Sequence, residues 1–212
     1  HAMGVITLTK EDYEADDILA TLAHRGSEGG FNVLVVSGDR DTFQLINDNV
    51  TVLYPSARGV AELKRYTPDA VEERYGVRPE RYPDVAALVG ETSDNLIGVD
   101  KVGEKTAVKW ITQYGSLDAL LAAAEEIPGV VGHNLREQKD RVIRNRELNH
   151  LLTDIDVGVS LESLERGPID VDAVTKVFGE LAFKTLTNRV LALGGTTLIA
   201  SESVVAPEAV AL

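Results

Sequence analysis

The stretch Phe31-Asn32-Val33-Leu34-Val35-Val36, followed at once by Ser37-Gly38-Asp39-Arg40-Asp41, constrains the fold more than any other. A near-continuous apolar run stopped by glycine is the pattern of a strand covered on both faces, as in a parallel sheet packed between helices. The flanking segments repeat that logic. Val5–Leu8 reads as a first short strand. Glu14–His24 carries Ile18, Leu19, Leu22 and Ala23 at helical spacing, with Gly26, Gly29 and Gly30 as its stop. Phe43–Ile46 reads as a short helix, Val50–Tyr54 as a strand and Val60–Leu63 as one more. The β-α-β-α-β order predicts an α/β fold with a parallel, Rossmann-like sheet.

After Pro55 the character shifts towards helix. Helices are predicted at Pro68–Tyr75, Pro83–Val89 and Glu104–Tyr114. Ser116 suits the N-cap of another, Leu117–Glu126, which Pro128-Gly129 ends. Leu135–Leu152 reads as one long charged helix, and Asp172–Phe178 and Leu181–Leu193 as two more. A boundary near residue 90 gives an α/β core over residues 4–90 and a helical region over 91–193. Residues 194–212 lack helical period and read as a linker or tail. His1-Ala2-Met3 has the look of a tag-cleavage scar and is set aside.

The 212-residue chain contains no cysteine, which excludes disulfides, thiolate metal sites and cysteine nucleophiles and suits a reducing cytoplasm. No apolar run reaches the roughly 18 residues of a membrane span, so no membrane partner is expected. The formal net charge is −13, which taken as a sum argues against nucleic acid. The placement of charge is more informative than its sum.

Four acidic groups stand out: Glu14, Asp16 and Asp17; Asp39 and Asp41; Glu91; and Asp94. In open parallel sheets, sites form at the carboxyl ends of strands. Asp39 and Asp41 follow the Phe31–Val36 run, and Glu14, Asp16 and Asp17 follow the first predicted strand. Taken alone, the first group suits a helix dipole and the second a helix cap. Two groups at equivalent strand ends make a metal edge the better reading. Hard oxygen ligands suit Mg²⁺ or Mn²⁺, and two such ions about 4 Å apart can clamp a phosphodiester and activate water.

The second signal is Gly98-Val99-Asp100-Lys101-Val102-Gly103-Glu104-Lys105-Thr106-Ala107. Gly98 and Gly103 frame a tight turn before a helix, Lys101 lies at its tip, and Lys105, Thr106 and Lys109 continue onto the helix. Small residues admit a phosphate backbone, a helix N-terminus offers free N–H donors, and lysines add attraction to phosphate. Arg136, Lys139, Arg141 and Arg144 lie on the long predicted helix, where acidic neighbours favour a solvated face.

Four segments in order, YEADDILATLA, VVSGDRDTFQLI, ALVGETSDNLIGV and DKVGEKTAVKWI, resemble the signatures of the bacterial 5′-nuclease family. That family includes the 5′→3′ exonuclease domains of DNA polymerase I and the flap endonucleases. The resemblance runs from about Gly4 to Leu193. It implies a PIN-like α/β core and a helix-three-turn-helix, or helix-hairpin-helix, element that grips duplex DNA. By the same resemblance, Glu14, Asp16 and Asp17 serve a first metal site, Asp39 lies between two ions, and Asp41 and Asp94 serve a second site. Asp16, Asp39 and Asp41 are the acids expected to carry catalysis. Glu91 stands where the family commonly has aspartate. The hairpin residues Gly98, Lys101, Gly103, Lys105, Thr106 and Lys109 are expected to hold DNA, with a potassium ion on backbone carbonyls.

The family's first strand and its basic arch have no counterpart in this sequence, which therefore resembles an N-terminally truncated nuclease domain. The resemblance implies cleavage of 5′ flaps and nicked or gapped duplexes during replication and repair, on cytoplasmic nucleoid DNA, in a chain that continues into polymerase domains. Two other readings stand beside it. One is a truncated fragment that only binds duplex DNA. The other is a hydrolase of small phosphate esters, against which the glycine hairpin argues.

Overall fold

A computed structural model describes residues 1–194, and the predicted tail over residues 194–212 lies, apart from Gly194, outside them. The chain divides into two compact units: Thr9–Gly158, and His1–Leu8 together with the chain from Val159.

The larger unit opens with α1 (Ala15–Glu28) and β1 (Val33–Val36). Gly26 does not stop α1. It lies buried inside the helix, where its missing Cβ makes room for the Val33 side chain. The chain then makes a short 3₁₀ turn at Asp41–Leu45 and continues into β2 (Val50–Ser56) and β3 (Gly59–Tyr66). β1 and β2 are parallel, with Val33 opposite Val50, while β3 returns antiparallel to β2. The expectation that both faces of β1 are covered is corrected: Val35 is 4% exposed, whereas Leu34 and Val36 are 53% and 54% exposed. Among the described residues the helical layer of this unit covers one face only.

Thr67 caps α2 (Pro68–Tyr75), accepting from the Ala70 amide, and Gly76 ends the helix in a left-handed conformation. α3 (Tyr82–Val89) leads into a two-residue ribbon, β4 (Gly90–Glu91) with β5 (Leu96–Ile97). The glycine hairpin follows, then α4 (Glu104–Tyr114) and α5 (Leu117–Ala122), the latter capped by Ser116 as expected. The long charged helix does not form as one. It is α6 (Gly129–Glu137) and α7 (Lys139–Leu148), separated at Gln138, whose φ of −111 and ψ of 15 leave the helical region.

Two apolar clusters hold this unit. One packs Val35, Phe43, Val50, Val52 and Val71 with Tyr66, Tyr75 and Tyr82. Phe43 is its centre, with four tyrosine rings at 4.6–5.7 Å between centroids. The other joins Leu88, Val99, Val102, Trp110, Ile111, Leu120, Leu135 and Val142. Val99 and Val102, the apolar pair of the hairpin, are thus anchors in the core.

The smaller unit holds α8 (Val171–Glu180) and α9 (Lys184–Gly194). The predicted first strand, Val5–Leu8, is not a strand and joins no sheet. Its neighbours instead pair with the later segment of the same unit: the Gly167 and Asp170 amides donate to the Gly4 and Ala2 carbonyls. Val5 and Ile6 are exposed, so β-branched composition alone supplied no partner.

Candidate functional site

The larger unit brings acids from three of the four predicted groups, Asp39, Glu91 and Asp94, into one cleft. It has a volume of about 500 Å³ and is lined by Gly38, Asp39, Arg40, Tyr54, Gly90, Glu91, Thr92, Ser93 and Asp94. Asp39 follows β1 and shapes its own loop. Its amide donates to Ser37 Oγ at 3.0 Å, its Oδ1 accepts from the Asp41 amide at 2.8 Å, and its carbonyl accepts from Thr42 Oγ1 at 2.6 Å. The β4–β5 ribbon delivers Glu91 and the turn carrying Asp94, with Asn95 at φ 57.

The electrostatics are those of a site short of positive charge. Burial, then Glu91, Asp39, Asp94 and Asp16, push the Asp41 carboxyl up to about 7. Burial, then Asp94 and Asp39, raise Glu91, with Arg40 opposing. Burial, then Asp39, Glu14 and Asp17, raise Asp16. Asp41 Oδ1 and Glu91 Oε2 are buried and have no hydrogen-bond partner among the described residues. A buried, unpartnered carboxylate oxygen among other acids is costly unless a proton or cation satisfies it, so this donor set fits a hard divalent ion. The oxygens do not converge: among the described residues no three His, Asp or Glu side chains are arranged to hold a single ion.

The sign for stability follows. Asp41 binds its proton more tightly folded than unfolded, so its contribution is full below about pH 4 and is lost as pH rises to about 7. In chelator, the melting temperature is therefore expected to fall over that interval, and Asp41→Asn to flatten the fall. A pH profile of melting with the same slope in both proteins would refute this.

The remaining acids are placed differently. Glu14 is exposed at the start of α1. Asp17 gives its oxygens to backbone: Oδ1 accepts from the Leu152 amide at 3.0 Å and Oδ2 from the Glu14 amide at 3.4 Å. Arg40, which the sequence reading passed over between two acids, lies beside Tyr54, Tyr75 and Tyr82 and makes no ion pair among the described residues. Gln44 was also passed over. Its Nε2 donates to the Asp41 and Asn149 carbonyls at 2.9 and 2.8 Å, and its Oε1 accepts from the Leu151 amide. No local signal in the sequence identifies that link, which spans more than a hundred residues.

At the hairpin the two glycines do different work. A Cβ on Gly98 would collide with the Val89 and Leu88 carbonyls, whereas one on Gly103 meets nothing within 4 Å. Gly98 is a packing glycine. Gly103 opens the N-terminus of α4 and has no side-chain cap there, which leaves first-turn N–H groups free for an anion. Lys101, Lys105 and Lys109 are exposed and Thr106 is half-buried. Lys101 sits at the tip with φ 65. The solvated-face reading of the later arginines is corrected for two of them. Arg136 donates to the Ala124 and Ile127 carbonyls, and Arg141 to the Gly98 carbonyl.

Residues 1–76 match the family model described as 5′-3′ exonuclease, N-terminal resolvase-like domain, and residues 77–172 match 5′-3′ exonuclease, C-terminal SAM fold. The chain belongs to the 5′-3′ exonuclease family. Among curated relatives of this family, DNA polymerase I of Mycobacterium tuberculosis is 48% identical over 188 residues, covering 89% of this chain and 21% of that protein. DNA polymerase I of Bacillus subtilis is 41% identical over 180 residues, covering 84% of this chain and 20% of that protein. The chain thus spans about a fifth of the length of these relatives. Among solved structures, bacteriophage T5 5′-exonuclease with bound zinc aligns with a TM-score of 0.61 at 24% identity, covering 89% of this chain and 62% of that one. A bacteriophage T5 flap endonuclease in a pseudo-enzyme-product complex with DNA and metal ions aligns at 0.60 and 22%, covering 90% and 63%. These neighbours establish the 5′-3′ exonuclease fold, an α/β core followed by a helical region.

Proposed function

We propose that this chain is the acid-bearing and duplex-gripping part of a 5′ nuclease. The intact protein would hydrolyse DNA phosphodiesters at 5′ flaps, nicks and gaps during primer removal and repair, on nucleoid DNA in the bacterial cytoplasm, in a chain that also carries polymerase domains. One observation carries the reading: two buried, unpartnered carboxylate oxygens, one on Glu91 in the cleft with Asp39 and Asp94, the other on Asp41, whose carboxyl feels all three of those acids. The DNA polymerase I relatives and the phage flap endonuclease seen with DNA and metal ions support it.

On this reading residues 4–90 bear most of the acids and residues 91–193 the grip. Asp41, Glu91, Asp39 and Asp94 would hold divalent ions in the cleft, with Asp16 flanking them and Glu14 and Asp17 at the start of α1. Bound there, Mg²⁺ or Mn²⁺ would supply water activation and charge stabilisation at the leaving oxygen. Asp39 and Asp41, tied to each other by the 2.8 Å amide contact, keep the acids in one register. Arg40 offers a cation to a phosphate entering the cleft. Gly103, Lys105 and Thr106 would hold the DNA backbone without reading bases, helped by Lys101 and Lys109 and by a potassium ion on hairpin carbonyls.

The test is release of a labelled 5′ flap in millimolar Mg²⁺. Cleavage is expected to stop in chelator and to fall by about a hundredfold or more in Asp41→Asn. Cleavage that survives chelation would overturn the reading. A second reading, a duplex-binding module without cleavage, is favoured by one observation, the absence of three converging ligands among the described residues. It requires nicked-duplex binding with no product. Either way, Lys105→Ala is expected to weaken duplex binding and flatten its log–log salt slope by about 0.9. An unchanged slope would remove Lys105 from the DNA face.

A further inference from the structure

We infer that Gln138 and Arg141 are positioning residues that clamp the hairpin from behind, so that Lys101, Gly103 and Lys105 are presented outward. The inference rests on the reading of the hairpin as the duplex grip. Asp100, next to the tip, has each of its polar groups engaged by the α6–α7 pair. Its amide donates to Gln138 Oε1 at 2.9 Å, and its carboxylate accepts from Gln138 Nε2 at 2.8 Å. Its carbonyl accepts from Asn134 Nδ2 at 2.8 Å. Arg141 Nη1 donates to the Gly98 carbonyl at 3.1 Å and lies 3.9 Å from the Asp100 carboxylate. One turn further along α7, buried Asn145 donates to the Ile97 and Ala87 carbonyls at 2.9 and 3.1 Å.

These contacts explain the break at Gln138. The residue leaves helical geometry where its amide grips both the N–H and the carboxylate of Asp100. They also take Arg141 out of the set of phosphate contacts, because its charge faces a carbonyl and a carboxylate on the protein. A residue that touches phosphate releases counterions when DNA binds, and a residue that only orients the hairpin does not. The salt slope therefore separates the two roles.

The experiment compares the full chain with Arg141→Ala, Gln138→Ala and Lys105→Ala. Nicked-duplex affinity is measured by anisotropy over a salt series, and amide exchange is followed at Val99 and Val102. Both clamp variants are expected to lose about tenfold in affinity with the slope of the unaltered chain, and to exchange those amides about tenfold faster. Lys105→Ala is expected to lower the slope and leave exchange unchanged. A slope that falls by about one unit in Arg141→Ala would make Arg141 a phosphate contact and overturn the inference. Exchange at the unaltered rate in both clamp variants would overturn it too. Should Arg141→Ala fail to fold, Gln138→Ala carries the same test. Should the unaltered chain fail to bind DNA, the duplex-grip reading and the outward-presentation role fall together, while exchange separately decides whether the clamp holds the turn.

Discussion

Millimolar Mg²⁺ is expected to raise the melting temperature of this chain by about 5–10 °C at pH 8. An ion present at about a hundredfold its dissociation constant stabilises the folded state by roughly 2.7 kcal/mol. A domain of this size gains about 2–4 °C per kcal/mol. The source of the effect is the acid cleft. At pH 8 Asp41, whose carboxyl is pushed up to about 7, is forced to ionise among Glu91, Asp39, Asp94 and Asp16. A cation relieves that repulsion and satisfies the two unpartnered oxygens. Asp41→Asn removes one of the repelling charges, so the variant is expected to melt higher than the unaltered chain in chelator. It is also expected to lose most of the Mg²⁺ response. Calorimetry of both proteins in chelator and in Mg²⁺ checks this. An unaltered chain that ignores Mg²⁺, or an equal shift in Asp41→Asn, would contradict the metal reading of the cleft without reference to activity.

Gly98→Ala and Gly103→Ala are expected to fail in opposite ways. At Gly98 a methyl meets the Val89 and Leu88 carbonyls at the end of α3, so backbone has to move. Gly90 packs against the same point from the other side, where a Cβ would strike the Gly98 amide and the Leu96 carbonyl. Overpacking of this kind costs about 3 kcal/mol, or about 6–12 °C in melting temperature. At Gly103 the methyl meets open space and φ is −106, a value any residue adopts. Losing glycine at that cap position costs under about 1 kcal/mol. The methyl does occupy the path a phosphate would take to the free amides of α4, and nicked-duplex affinity is expected to drop about tenfold, or 1.4 kcal/mol. Thermal melts and anisotropy on the two variants separate packing from contact. Equal melting temperatures would refute the division of labour.

What could be read from the sequence was what local chemistry decides. Pro68–Tyr75 and Glu104–Tyr114 come out at their predicted bounds because Thr67, Pro68, Gly76, Gly103 and Gly115 stop them from within a few residues. The acids after β1 and the turn between Gly98 and Gly103 were legible for the same reason. What was missed depends on partners far along the chain. Val5–Leu8 has strand composition but no strand to pair with among the described residues. Asp17 resembles a cleft acid in sequence, yet half of it is spent on the Leu152 amide. Arg141 resembles surface charge until the Gly98 carbonyl is brought beneath it. Periodicity shows which side of a helix a residue shares, and it is silent on what tertiary structure sets against that side.

Gln138, Arg141, Asn145 and Asn149 follow one another at three- and four-residue intervals. The first two reach the hairpin, Asn145 holds the Ile97 carbonyl at the end of β5 just before it, and the last gives its carbonyl to Gln44, which also holds the Asp41 carbonyl. α7 is thus a spacer with one end on the glycine hairpin and the other on the acid loop. From Arg141 to Asn149 it rises about 12 Å, on the order of three to four nucleotide steps of a duplex strand. The length of that helix therefore sets the separation between the glycine hairpin and the loop that carries Asp39 and Asp41.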